Sequence, residues 1–414
     1  MSDPGNIRIQ DYDYLLPAEQ IAQFPLETRD ASKLLVYRDG HISDERFSGI
    51  GQHLPENSLL VFNNTRVIRA RLLFRKPTGG QIEIFCLEPL SPTAEIQEAF
   101  HQTTASTWKC LVGNMKRWKS ETLMIECLAD GIIHQLFAEL KTDCKDGSFE
   151  ISFHWSPPEK TFSEILELMG VIPLPPYINR TAVPSDNDRY QTVYAEHEGS
   201  VAAPTAGLHF TPARIEKLRS DGFETENVTL HVGMGTFRPV GVEQIRDHVM
   251  HHEKIVISRN TIHQLLLNLN RPVIAVGTTS ARTLESLYWL GVSLIQDHSE
   301  KHPVVSQWIP YQQNPGSMIT AGQSLQALIN YLDERKLVEY SGETQLMIVP
   351  GYQYRIISGL ITNFHFPKST LLLLVAAMIG NDWRRVYAHA LDNGYRFLSY
   401  GDSCLFFNAW HKLP

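Results

Sequence analysis

The chain has few cysteines, no long apolar run and no basic leader, and each absence removes a class of protein. Its five cysteines, Cys86, Cys110, Cys127, Cys144 and Cys404, form no CxxC pair, so neither a disulfide framework nor a thiolate zinc site is expected. The longest apolar stretch, Leu371 to Ile379, falls far short of the roughly 20 residues a membrane-crossing helix needs. The opening MSDPGNIRIQDYDY has no basic stretch leading into an apolar one, so a cytoplasmic location is expected. What remains is 43% hydrophobic and 20% charged over 414 residues. That is the composition of a folded enzyme, long enough for two or three domains of roughly 100–200 residues each.

Charge is uneven. The net charge is −8, yet Arg66 to Lys119 holds nine basic residues against four acidic ones, leaving −13 for the rest. Screening over about 8 Å makes the local excess matter more than the sum to an approaching phosphate backbone. Arg66, Arg69, Arg71, Lys116, Arg117 and Lys119 are the candidates for phosphate contact, and Trp108 and Trp118 offer faces for base stacking. A solvated strand face with core tryptophans accounts for the same pattern.

From Val67 to about Phe153 short β-rich runs alternate with turn signals, which predicts a small antiparallel barrel or sandwich. Before and after it the texture differs. A helix is expected at 17–23 and strands at 33–37 and 58–62; helices at 161–169, 211–220, 259–269, 279–290, 320–335, 368–379 and 382–392 then alternate with strands at 223–232, 254–257, 272–277, 345–349 and 355–361. Such alternation predicts an α/β layer with largely parallel strands. The expected architecture is a discontinuous α/β main domain, 1–65 plus 156–414, interrupted by an antiparallel β-barrel domain at 66–155. Residues 303–318, rich in proline, read as a surface excursion.

Ligands of open α/β sheets sit beyond the strands' carboxyl ends. Three predicted ends are polar. VTLHVGMGTFRP from Val228 carries His231, with Gly233 and Gly235 permitting close backbone approach. PVIAVGTTSARTLES from Pro272 follows a buried strand with Gly277, Thr278, Thr279 and Ser280, suited to a carboxylate or phosphate at a helix start, or simply to capping the helix. LITNFHFPKSTL from Leu360 places Asn363 and His365 after a strand. Upstream, the proline-rich stretch 173–211 holds Asp188, Arg189, Tyr190 and His209 in an ordered loop. His248 and His252, four apart, could share a helix face around zinc with Glu253 as base, but the HExxH order and a third ligand are missing. No metal is expected.

These segments, with RDASKLLV from Arg29, NNTRVIRARL from Asn63, GGQIEI from Gly79, IPLPPYI from Ile172, DRYQTVYA from Asp188, VAAPTAGLHFT from Val201 and YRFLSYGD from Tyr395, run collinearly through the chain. In them the sequence resembles the S-adenosylmethionine:tRNA ribosyltransferase-isomerase family of queuosine biosynthesis. The resemblance also implies an α/β domain interrupted by a β-barrel. Asn64 stands where the family pattern has Asp, Lys33 where it has Arg, and 291–344 is longer than in shorter members.

The resemblance implies that the ribosyl part of S-adenosylmethionine moves onto 7-aminomethyl-7-deazaguanine in a tRNA anticodon loop, leaving an epoxycyclopentanediol group and releasing adenine and methionine. S-adenosylmethionine is then a co-substrate, and no regenerated cofactor is required. The sulfonium acidifies the C5′ protons, so a positioned base, a proton donor for adenine and a polar methionyl pocket are needed. His209 and His231 are expected to shuttle protons, with Asp188 and Tyr190 as orienting or acid partners. Gly277, Thr278, Thr279 and Ser280 are expected to receive the carboxylate; Gly207, Gly233, Asn363, His365 and Asp402 complete the donor site. Two other readings use the same residues. A tRNA-binding module without catalysis would release no adenine, and a hydrolase built on His248, His252 and Glu253 would carry stoichiometric zinc.

Overall fold

The computed structural model describes residues 4–76, 78–119, 121–233, 240–296, 304–312 and 319–408. Its strands are β1 (Lys33–Arg38), β2 (His41–Arg46), β3 (Leu59–Asn63), β4 (Thr65–Val67), β5 (Arg71–Arg75), β6 (Gln81–Ser91), β7 (Ala105–Gly113), β8 (Leu123–Ala129), β9 (Ile132–Asp143), β10 (Phe149–Ser156), β11 (Gly170–Val171), β12 (His197–Ser200), β13 (Glu224–Leu230), β14 (Glu253–Ser258), β15 (Val273–Val276), β16 (Glu339–Thr344), β17 (Gly359–Asn363) and β18 (Ser403–Phe407). The helices are α1 (Ile96–Phe100), α2 (Phe162–Met169), α3 (Asp186–Arg189), α4 (Pro212–Ser220), α5 (Arg259–Leu267), α6 (Thr278–Gln296), α7 (Ala321–Glu334), α8 (Thr370–Ile379) and α9 (Trp383–Asp392).

The larger sheet has nine strands in the order β16-β14-β13-β3-β15-β17-β18-β1-β2. LLVFN of β3, VIAV of β15 and GLITN of β17 are buried throughout, as strands covered on both faces must be. Alternate residues enter opposite cores: Leu59, Val61 and Ala275 face the α6 side, whereas Leu60, Phe62, Ile274 and Val276 pack with Phe47 and Phe210. At the edge, HISDER of β2 is mostly exposed and charged, which guards an unpaired strand against foreign pairing. The sheet is mixed rather than largely parallel. β13, β3, β15 and β17 run parallel, while β14, β16 and β2 pair antiparallel with their neighbours and β18 runs antiparallel to β17.

The second sheet, β11-β5-β6-β7-β10-β9-β8, is antiparallel at every pairing. As described, it is an antiparallel half-barrel sheet edged by β11 and β8. Its core includes Trp108 and Trp118, which are 0% and 3% exposed, so neither offers a stacking face to a base. Phe162, Ile165 and Leu166 of α2 join the same core, and β11 pairs with β5, so this layer's packing extends past residue 155.

Other expectations shift for identifiable reasons. The helix predicted at 17–23 is a single 3-10 turn, Ala18–Gln20, because Pro17 and Ile21 are extended. Predicted strand 345–349 lies outside the ladder: Gln345 and Met347 donate to the carbonyls of Val305 and Gln307 in the 304–312 excursion. Strand 355–361 begins only at Gly359, since the amides of Arg355, Ile356 and Ile357 bond the buried Glu285 carboxylate of α6 instead of a neighbouring strand. From Thr278 to Val292 every residue of α6 is buried; most are apolar or small, and the two charged ones, Arg282 and Glu285, are met by Glu253 and by the amides of 355–357.

Candidate active site

The parallel strands β3, β15 and β17 bring Asn63, Val276 and Asn363 to one end of the sheet. β18 runs antiparallel to β17, and β1 parallel to β18, so Ser403 and Leu34 meet Asn363 at that end. Ser32 and Asp402, one or two residues earlier, are carried there too. Gly277, with φ +94, reverses the chain after β15 and donates its amide to the carbonyl of Ile361 at 2.8 Å, so that α6 begins beside β17.

A hollow of about 720 Å³ opens there, lined by Thr278, Thr279, Asn363, His365, Tyr177 and Phe366 among others. Two buried oxygens at its wall, Thr279 Oγ1 and Asn363 Oδ1, have no hydrogen-bond partner among the described residues. Such atoms mark a place where a ligand can supply the missing bonds. The aromatic wall and the unpartnered oxygens together fit the sugar and base of a nucleoside.

His209 forms the partition behind Asn363. Its Nε2 lies 3.2 Å from Asn363 Nδ2 and its Nδ1 2.9 Å from Ser32 Oγ. Burial lowers its pKa to about 3, with the charges of Arg396 and Arg29 adding to the effect. His365 lines the hollow, bonds Thr362 Oγ1 through Nε2 at 2.9 Å, and burial lowers it to about 3. His231 stands apart from that lining: its ring packs on Gly199, its Nδ1 meets Thr65 Oγ1 at 3.0 Å, and burial lowers it to about 4. All three imidazoles are therefore neutral near pH 7.

The other expected residues divide. Gly277, Thr278, Thr279, Asn363 and His365 do line one hollow. Ser280 does not: its hydroxyl turns back to donate to the Val276 carbonyl at 2.8 Å. Asp402 uses its carboxylate on the amides of Lys33 and Arg396, at 2.9 and 2.8 Å, clasping β1 to the 396–402 turn. Gly207 serves packing, as a Cβ there would come within 1.8 Å of the Tyr194 hydroxyl. Gly233 borders the site beside Val232, and Gly235 lies outside the described residues. Tyr190 is fully buried edge-on to Tyr400, and burial pushes its hydroxyl pKa well up.

Asp188 is exposed and opens onto a different cleft of about 740 Å³, shared with Arg29, Arg66, Arg69 and Gln191. The buried acid of its helix is Asp186, held by Arg180 at 2.7 and 2.8 Å and by Tyr400 at 2.8 Å. Arg69 and Arg71 are paired, to Glu167 at 3.2 Å and to Glu83 at 3.3 Å. Lys116, Arg117 and Lys119 are exposed at the turn following β7. His252 bonds Glu343 at 2.8 Å and Glu253 is ion-paired with Arg282 at 2.6 Å; among the described residues no group of three His, Cys, Asp or Glu side chains could hold a metal. Among the described residues no helix is long and apolar enough to cross a membrane.

Sequence reasoning missed Ser32, Arg29 and Ser399 as parts of the site. The signal existed, since Arg29 and Ser32 belong to RDASKLLV and Ser399 to YRFLSYGD.

Residues 9–406 match the family described as "Queuosine biosynthesis protein". An S-adenosylmethionine:tRNA ribosyltransferase-isomerase of Geotalea uraniireducens is 37% identical over 402 residues, 96% of this chain and 99% of that protein. The protein of the same name from Azoarcus sp. is 39% identical over 412 residues, 98% of this chain and 99% of that one. A crystal structure of S-adenosylmethionine tRNA ribosyltransferase from Thermotoga maritima, 28% identical, covers 95% of this chain and 99% of its own with a TM-score of 0.44. With a match spanning nearly its whole length and full-length relatives at this identity, the chain belongs to the queuosine biosynthesis protein family.

Proposed function

We propose that this protein transfers and isomerises the ribosyl moiety of S-adenosylmethionine onto 7-aminomethyl-7-deazaguanine in a tRNA anticodon loop, releasing adenine and methionine. The observation that carries this reading is the hollow at the strand ends, where Thr279 Oγ1 and Asn363 Oδ1 await partners beside a neutral His209. The hollow receives the donor's nucleoside, Thr279 and Asn363 bond its sugar, and the first amides of α6 face its polar edge. His209 takes the C5′ proton. Ser32 meets the ring at Nδ1, and Nε2 lies against the Asn363 side-chain amide at the partition, which must release it for the transfer. An imidazole with a pKa near 3 is always free to accept a proton but is a weak base, so an anionic group bound nearby would strengthen it. His365, neutral near pH 7, offers departing adenine a ring N–H hydrogen bond rather than a proton, and His231 and Tyr190 keep the loop walls in place. Asp188, on the neighbouring cleft, meets the polar edge of the incoming base.

Arg66, Arg69 and Arg71, then Lys116, Arg117 and Lys119, mark a track for the RNA backbone. The chain is read as a main α/β domain interrupted after residue 65, with the β-rich unit of 66–155 taking α2 and β11 into its packing. The expected setting is the cytoplasm, with tRNA as partner and no metal or regenerated cofactor. The test is incubation of purified protein with S-adenosylmethionine and precursor tRNA, followed by mass spectrometry of the tRNA nucleosides. A nucleoside heavier by the epoxycyclopentanediol group, with adenine released in equal amount, is expected. No adenine and no mass change would overturn the reading.

A further inference from the structure

Behind the partition of His209, Asn363 and Ser399 lies a second hollow of about 290 Å³, lined by Arg29, Arg189 and Arg396 together with Ser32 and His209. Three guanidiniums around so small a space call for a negative charge, and the protein supplies little. Arg29 donates to the main-chain oxygens of Gln191, Leu208 and Asp188, Arg189 to those of Leu26 and Glu27, and Arg396 to that of Phe24. Carbonyls satisfy hydrogen bonds without cancelling formal charge. Asp402 reaches Arg396 Nε only at 3.9 Å, its oxygens being taken by backbone amides. Among the described residues, no carboxylate lies within ion-pair distance of Arg29 or Arg189, and Arg189 Nε is buried without a partner. The crowding shows in Arg29, whose pKa is lowered by burial and then by the charge of Arg189.

We propose that this chamber is an oxyanion subsite that takes the α-carboxylate of the donor's amino-acid moiety while the larger hollow takes its nucleoside. The inference rests on the functional reading above and sharpens it. The start of α6, where the sequence suggested the carboxylate would go, provides a partial charge of roughly +0.5, against three guanidiniums here, of which only Arg396 has a carboxylate in reach, Asp402 at 3.9 Å. Ser399 lines both hollows, and the His209–Asn363 contact separates them. A donor spanning the two places its sulfonium beside His209.

A phosphate of the RNA backbone has the same chemistry, and Arg29 also borders the cleft of Arg66 and Arg69, so the experiment must separate the two sources. Calorimetric titration of the full-length protein, without RNA, compares S-adenosylmethionine with its decarboxylated analogue. Binding of the intact donor at least tenfold more tightly is expected. Arg189→Gln and Arg396→Gln should each remove most of that difference while leaving affinity for the analogue close to that of the unaltered protein. Equal affinity of the unaltered protein for both ligands overturns the proposal, and that comparison needs no variant to fold. Variants that keep the discrimination but bind tRNA more weakly, with a shallower salt dependence, also overturn it, because a phosphate then occupies the chamber. If neither ligand binds, the functional reading itself falls; if both bind equally, only the carboxylate assignment does.

Discussion

Burial of His209, His231 and His365 ties stability to pH. Their pKa values are lowered from 6.5 to about 3, 4 and 3, so below pH 6.5 the unfolded chain binds protons that the folded chain does not. Stability is therefore lost as pH falls from about 6.5 towards 4, by up to roughly 1.4 kcal/mol per pH unit for each ring. Urea unfolding at pH 7, 6 and 5 should show the decline, and a flat profile would contradict the burial. His209→Ala should lower turnover about 10²–10⁴-fold with a smaller effect on donor affinity. His231→Ala should act mainly through stability, because its ring fills the space at Gly199 rather than lining the hollow; single-turnover assays and thermal melts on both variants separate the roles. Asn64 also gains a reason. Its Nδ2 donates to Glu196 at 2.8 Å and its Oδ1 accepts from Thr229 at 2.7 Å, so Asp in that position would set two carboxylates together. Histidine positions were legible as chemistry in the sequence, but which rings share a wall was not.

Among the elements, α6 connects stability to the site. Glu285, fully buried, accepts from three consecutive amides at 355–357 and from the Tyr352 hydroxyl. This carboxylate replaces a strand's ladder and anchors the segment leading into β17. Glu285→Ala should strand those donors at a cost on the order of 1–3 kcal/mol each, read as a fall in urea midpoint. The loss should also loosen Asn363, weakening donor affinity at temperatures where the variant is still folded. Element identity was largely legible: apolar runs gave β3 and β15, and the helices expected at 161–169, 211–220 and 368–379 are α2, α4 and α8, whose starts the structure caps with Thr161, Thr211 and Ser369. Where it failed, at 345–349 and 355–358, the backbone bonds a side chain or a distant loop, a choice no local periodicity records.

For the whole molecule the charge asymmetry matters most. The positive segment is split into two groups, Arg66 and Arg69 at the cleft shared with Asp188, and Lys116, Arg117 and Lys119 beyond β7. Neutralising either group to Gln should weaken tRNA binding and flatten the plot of log affinity against log salt by roughly 0.7–0.9 for each phosphate no longer neutralised. Filter binding across a salt series checks it, and a group whose removal leaves the slope unchanged is not on the RNA path. By itself the sequence determined the motifs, the apolar strands and the polarity of their ends, because these depend on residue type and short spacing. Tertiary structure decided which of those ends share a wall. Ser32, His209 and Asn363 are separated by 177 and 154 positions yet lie within hydrogen-bond reach, while Asp188, in the same loop as His209, faces another cleft. Strand order fixes such meetings, and it is set by burial of both sheet faces summed over the whole chain rather than by any one segment.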